Sequence, residues 1–165
     1  MSLFKKFFGT GNEATEAEKE SEFFNSPTDN APADEKFTYN FKKNGGKFLY
    51  CENLDEVKEQ FENILEENDW FESEVICFET KLFSILDDNK LNYNEPKKPK
   101  FLFASCENLI ADEGAILFSS NQIKQNKPND LPVNMIILAT TSQILANKSD
   151  GLQVIKKKYD KLIRW

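Results

Sequence analysis

The chain has 165 residues and a mass of 19.1 kDa, with 39% hydrophobic and 30% charged residues, enough for one domain with a single core and too little for two. Its formal charge of −7 and pI of about 4.8 work against long-range attraction of DNA or RNA phosphates, so no nucleic-acid partner is expected. The absence of histidine removes Ser-His-Asp triads and imidazole zinc sites, and Cys51, Cys77 and Cys106 are too scattered to hold a zinc ion or an iron–sulfur cluster.

In chain order, Leu3, Phe4, Phe7 and Phe8 would share one side of a two-turn helix beside Lys5 and Lys6, so residues 1–9 read either as a short amphipathic docking segment or as a frayed terminus. Residues 10–35 are rich in Glu, Asp, Ser, Asn, Gly and Pro, with Phe23-Phe24 as their large apolar pair, and read as a disordered acidic tail. A single domain is expected over 36–165. No apolar run reaches about 18 residues and the N-terminus lacks a signal-peptide pattern, so no transmembrane segment is expected and the reading is cytoplasmic.

Within the domain, a short helix over Asp34–Asn44 is expected to end at Gly45-Gly46, followed by a buried strand at Lys47–Cys51. Asn53 is a good N-cap with Glu56 three residues on, and Leu54, Val57, Phe61, Ile64 and Leu65 mark an amphipathic helix to about Asn68. An aromatic corner at Trp70-Phe71 precedes a second buried strand at Val75–Phe78, and a short helix is expected around Lys81–Leu86. Asp87–Pro99 reads as a polar connector.

Further on, Phe101–Phe103 is an apolar run, and Asn108–Ala111 and Ala115–Ser119 are two strands about a turn containing Gly114. A loop at Asn126–Pro132 leads to a strand at Met135–Ala139, and Leu152, Ile155, Tyr159 and Leu162 mark a final helix. Strands that are continuous apolar runs, interleaved with amphipathic helices, define an α/β fold with a largely parallel sheet covered by helices on both faces.

Several motifs read as structural. KFLYCENL at Lys47–Leu54 and KFLFASCENL at Lys100–Leu109 have divergent flanks and read as coincidence on a low-diversity chain. Gly9, Gly11 and Ala14 follow no strand, so their G-x-G-x-x-A spacing carries no dinucleotide site. Asp87, Asp88 and Asn89 lack the glycine and terminal glutamate of a calcium loop. The acidic residues from Glu52 to Glu79 read as a solvated helix face, and Lys156, Lys157, Lys158, Lys161 and Arg164 as a basic end that complements a helix dipole. The informative stretch is Ser105–Ser120, where a strand, the Asp112-Glu113-Gly114 turn and a second strand would set carboxylates and free backbone N–H groups at strand ends; a plain β-turn fits the same residues.

Together with Leu131-Pro132 and MIILATTSQIL at Met135–Leu145, that stretch resembles the LUD (lactate utilisation) domain family. Members show a pattern like A-x-I-A-E/D-T-G-T-L-x-L, then L-P, then a hydrophobic strand; here LIADEGAIL occupies the first pattern, with Glu113 and Ala115 where the family commonly has Thr. The similarity runs from about Phe37 to Tyr159. It implies a fold similar to ribose phosphate isomerases, CoA transferases and methenyltetrahydrofolate synthetase, and a role near lactate oxidation beside iron–sulfur subunits. Longer members carry a further C-terminal G-P-S-x-T-A-D-I-E region that this sequence does not show.

The first functional expectation is therefore an accessory or ligand-binding protein of lactate or related organic-acid use, without redox centres or cofactors of its own. An organic acid or nucleotide-like ligand would meet backbone N–H groups near Gly114, the hydroxyls of Ser105, Thr140 and Thr141, and Asp112 and Glu113 as orienting carboxylates. Two alternatives stay open. One is a transferase or cycloligase using Asp112 or Glu113 as acid or base; the other is an interaction module acting through the two ends of the chain.

Overall fold

The computed structural model describes residues 26–163, with side chains to residue 158. The expected segment over 1–9, most of the acidic tail, Arg164 and Trp165 lie outside these residues.

Helix α1 (Ala33–Lys43) lies where a helix over Asp34–Asn44 is expected and takes the last residues of the expected tail into the fold, anchored by Phe37, which is 2% exposed and stacked on Phe41 at 5.2 Å. Its acidic first turn, Asp34 and Glu35, and basic last turn, Lys42 and Lys43, both complement the helix dipole. Lys47–Cys51 is not a strand. It pairs with nothing in either sheet, and Leu49 and Tyr50 are exposed while Phe48 alone turns in against Phe37. The apolar run marks the partial burial of Phe48 and Cys51, not ladder formation.

Helix α2 (Leu54–Asn68) begins as expected: the Asn53 side chain accepts the Glu56 N–H at 3.0 Å, and the Glu56 carboxylate accepts the Glu52 N–H at 2.8 Å. It buries Phe61 and Leu65 and stops at Asp69 in the left-handed conformation. Strand β1 (Val75–Ile76) is short; a 3₁₀ turn (Thr80–Leu82) and helix α3 (Phe83–Asp88) follow. Strand β2 (Phe101–Ser105) is buried at every residue, since it lies between two parallel neighbours and under helices.

Strands β3 (Asn108–Ile110) and β4 (Ala115–Leu117) form an antiparallel hairpin. Helix α4 (Ser120–Ile123) and a 3₁₀ turn (Pro128–Asp130) lead to β5 (Met135–Leu138); a 3₁₀ turn (Thr141–Gln143), β6 (Ile144–Leu145) and helix α5 (Lys148–Ile163) complete the order. The fold is α/β, with two three-stranded sheets rather than one. The first is all parallel, in the order β1-β2-β5; the second, β4-β3-β6, pairs β3 parallel to β6 and antiparallel to β4. One core joins Phe61, Leu65, Val75, Leu86, Phe101 and Phe103; a second joins Phe37, Cys106, Leu109 and Ala111.

One further expectation is corrected. In α5, Leu152 is exposed and Gly151 is buried, because a glycine lets the helix backbone approach Ile110 and Leu117, and each residue on turns outward by about 100°. The two CENL segments take different structures, as expected of a coincidental likeness: Asn53 caps a helix and Asn108 opens a strand.

The β3–β4 turn is clamped by α1. Asn40 donates to the Ala111 carbonyl and Asn44 to the Glu113 carbonyl, each at 2.8 Å. Gly114 has φ +58°, and a Cβ there would run into the backbone of Asn40 and Phe41. Gly114→Ala is therefore expected to cost about 2–3 kcal/mol, from strain plus displacement of α1. Urea unfolding checks it; a loss within experimental error would mean that α1 does not hold the turn.

Candidate functional site

Strands β1, β2 and β5 run in one direction, so their carboxyl ends lie along one edge, where the chain leaves at Cys77, Cys106 and Ala139. In open α/β sheets this is the edge at which ligands bind, because the chain must diverge there and leaves a crevice. Beside the end of β1 lies an open cleft of about 320 Å³ lined by Ile76, Cys77, Phe78, Tyr93, Glu95 and Pro96.

Glu79, just past β1, reaches across to the end of β2. Its Oε1 accepts the Ser105 backbone N–H at 2.7 Å and its Oε2 accepts the Ser105 hydroxyl at 2.6 Å. The Lys81 ammonium donates to Ser105 Oγ at 3.1 Å and stands 3.1 Å from Glu79 Oε2. The Glu79 side chain is 9% exposed and that of Lys81 is 65% exposed, so an anion is buried beneath a solvent-facing cation. Burial pushes the Glu79 carboxyl upward, but the two Ser105 donors and the Lys81 ammonium outweigh it and hold the group below the usual carboxylate range.

That balance decides the chemistry. A carboxylate held low by three donors is a weak base, so the trio is poorly suited to draw the proton from Ser105. Lys81 spends two of its three N–H donors on Ser105 and Glu79, and the third is available to an anionic oxygen arriving from solvent.

A second buried carboxylate stands on the other side of Cys106. Glu107, its side chain 8% exposed, accepts from Ser119 Oγ at 2.6 Å, from Gln122 Nε2 at 3.2 Å and from Lys158 Nζ at 2.9 Å. Here too burial pushes the carboxyl up and the Ser119, Lys158 and Gln122 donors bring it below its ordinary value. Between the two, the buried Cys106 thiol is pushed up to about 12, first by burial and then by the Glu107 and Glu79 charges, with Lys81 opposing them. It stays protonated and is a poor nucleophile. Gln143 ties the exit of β5 to the same place, donating to the Cys106 carbonyl at 2.6 Å and accepting the Thr140 N–H at 2.8 Å.

Of the residues singled out from the sequence, Ser105 sits at the centre of this edge. Thr140 and Thr141 are exposed at the neighbouring strand exit, held by Gln143. Asp112, Glu113 and Gly114 are elsewhere, since β3 starts beside Gln143 at Asn108 and runs away from it to the turn. The expectation of free N–H groups at that turn is corrected: Asp112 N–H bonds the Ala146 carbonyl at 3.0 Å and Gly114 N–H bonds the Ala111 carbonyl at 3.4 Å. Glu113 pairs with Lys148 at 3.1 Å. The residues that the sequence reading missed are Glu79, Lys81, Glu107 and Gln143.

Among the described residues no group of three or more His, Cys, Asp or Glu side chains is placed to hold a metal ion, and no helix is long and apolar enough to cross a membrane. The chain matches no family model, no curated protein and no solved structure.

Because Glu79 and Glu107 both ionise more readily when folded, their stabilisation is complete above the unfolded value of about 4.3 and is lost as pH falls through their lower folded values. Urea unfolding followed from about pH 7 to about pH 3 is expected to show this acid limb, and Glu107→Gln to flatten it. An acid limb identical in the variant would unlink Glu107 from folding. At neutral pH, Glu107→Ala is expected to cost about 2–3 kcal/mol, as three donors lose a charged acceptor.

Proposed function

We propose that this chain is a LUD-type accessory or ligand-binding protein that takes a small organic acid of the lactate and pyruvate kind, in the cytoplasm and beside iron–sulfur subunits that carry the electrons. The observation that carries the reading is the Lys81 ammonium, 65% exposed, anchored by buried Glu79 and by Ser105 at the carboxyl edge of a parallel sheet. A carboxylate ligand would receive the third Lys81 N–H and, from the neighbouring strand exit, the hydroxyls of Thr141 and of Thr140, the latter turning from Gln143 and Ser142 to reach it.

The family part of the proposal draws support from where the motif residues fall. LIADEGAIL forms the β3–β4 hairpin, and MIIL forms a parallel strand beside β2, leading into Thr140 and Thr141. This arrangement suits the sheet edge of a fold similar to the ribose phosphate isomerases and CoA transferases. The site proposed here differs from the sequence expectation: Ser105, Thr140 and Thr141 stay in it, Lys81 and Glu79 join it, and Asp112, Glu113 and Gly114 leave it.

The test is a titration of the protein with lactate and with pyruvate, followed by amide NMR. Shifts confined to Lys81, Ser105 and Thr140–Gln143 are expected, reduced at least about tenfold in apparent affinity by Lys81→Met and unchanged by Asp112→Ala. No shift at this edge with either acid, or shifts at residues 112–114 instead, would sink the proposal.

A further inference from the structure

Among the described residues, β5 has β2 on one side and no strand on the other. The direction of its backbone groups follows from the register: Leu102 lies opposite Met135, and the Leu102 N–H bonds the Asn134 carbonyl at 3.0 Å. In a parallel ladder a residue bonds the two residues flanking its partner, so residues 134, 136 and 138 address β2. Met135 and Ile137 therefore turn both N–H and C=O away from the sheet.

Sheet edges of this kind are normally blunted by a charge, a bulge or a proline within the strand. Here there is none. From Leu131 to Asn147 the sequence LPVNMIILATTSQILAN carries no charged side chain, in a chain that is 30% charged. Val133, two residues before the strand, is 98% exposed, and Met135 is 41% exposed. The edge thus offers two pairs of unused backbone groups, an apolar strand and no electrostatic feature with which to recognise an acidic or basic peptide.

We infer that this edge pairs with β5 of a second copy of the chain, antiparallel about Ile136. The occupant is fixed by self-complementarity. A strand added here must be apolar on both of its faces, as the continuous run Met135–Leu138 is, and must bring no charge against residues 131–147. Antiparallel pairing requires outward residues to face outward residues, which sets Met135 opposite Ile137 of the copy and Ile137 opposite its Met135, closing four N–H···O bonds. The same register lays Val133 of each copy against Ala139 of the other, covering the most exposed apolar side chain and walling the Thr140 side of the carboxyl edge. The result is one six-stranded sheet, β1-β2-β5-β5-β2-β1.

Sedimentation equilibrium of the whole chain tests it. A reversible species of about twice 19.1 kDa is expected, and because each copy carries −7 the association should tighten as salt is raised. Two variants address the edge without removing an internal hydrogen bond: Met135→Pro deletes an outward N–H, and Met135→Lys adds a charge. Each should raise the dissociation constant at least about tenfold with unchanged far-ultraviolet circular dichroism, and hydrogen exchange should show Met135 and Ile137 amides protected in the parent and open in Met135→Lys. A chain that stays monomeric, a dimer weakened by salt, or a dimer indifferent to both substitutions with those amides open would each overturn the inference.

Discussion

The region around the carboxyl edge depends on two carboxylates, Glu79 and Glu107, being kept inside the protein as anions. Each is at most 9% exposed, and each is surrounded by donors drawn from more than one element. A buried carboxylate without partners would protonate or unfold its surroundings, so their hydrogen bonds are a condition of the fold and not an ornament on it. Glu79 thereby fixes the exit of β1 against the exit of β2. Glu107 fixes the start of β3, the Ser119 cap of α4 and the Lys158 turn of α5 to one another.

These contacts explain how so short a parallel sheet is stable. Strand β1 has two residues and β5 four, and sheets of this size give few ladder bonds. Strand β2 is buried throughout, with Phe101 and Phe103 packed against Phe61 at ring-centroid distances of 6.2 and 4.8 Å, and Trp70 stacks on Phe101 at 5.0 Å. A buried strand must release its polar backbone where it ends, and the Ser105 N–H and Cys106 carbonyl are met there by Glu79 and Gln143. The stable core and the candidate site are thus consecutive parts of one strand.

Much of this was legible in the sequence. Periodicity and the Asn53 cap located α2, apolar runs located β1, β2, β3 and β5, and Gly114 located the β3–β4 turn. The α/β class followed from the alternation of these elements. What periodicity could not convey was long-range pairing. Lys47–Cys51 has the composition of a strand but no neighbour to pair with, and in α5 the buried position falls on Gly151 in place of Leu152. Glu79 was hidden for a related reason: it closes a run of acidic residues that mostly do lie on the outer face of α2, and its burial depends on Ser105, which is 26 residues away. A charged residue directly after the apolar run Val75–Phe78 is the local mark that separates it from the others. Asp112 drew attention because of its turn, but the turn serves to seat α1.

The distribution of charge places an exposed cation at the carboxyl edge of an acidic protein. The carboxylates of α2 lie along its solvent face, where at physiological salt their field decays over a Debye length of about 8 Å. At the carboxyl edge the arrangement is inverted: Glu79 and Glu107 are buried and compensated, Lys81 and Lys158 stand outward over them, and the adjoining stretch Leu131–Asn147 is uncharged. In the proposed binding mode an arriving carboxylate would meet the ammonium of Lys81, which is itself in direct contact with the buried Glu79 carboxylate at 3.1 Å. That neutral stretch brings no negative side chain to the Thr140 side of this edge. A single sequence feature, seventeen uncharged residues in a highly charged chain, thus underlies both the inferred interface and one side of the candidate site.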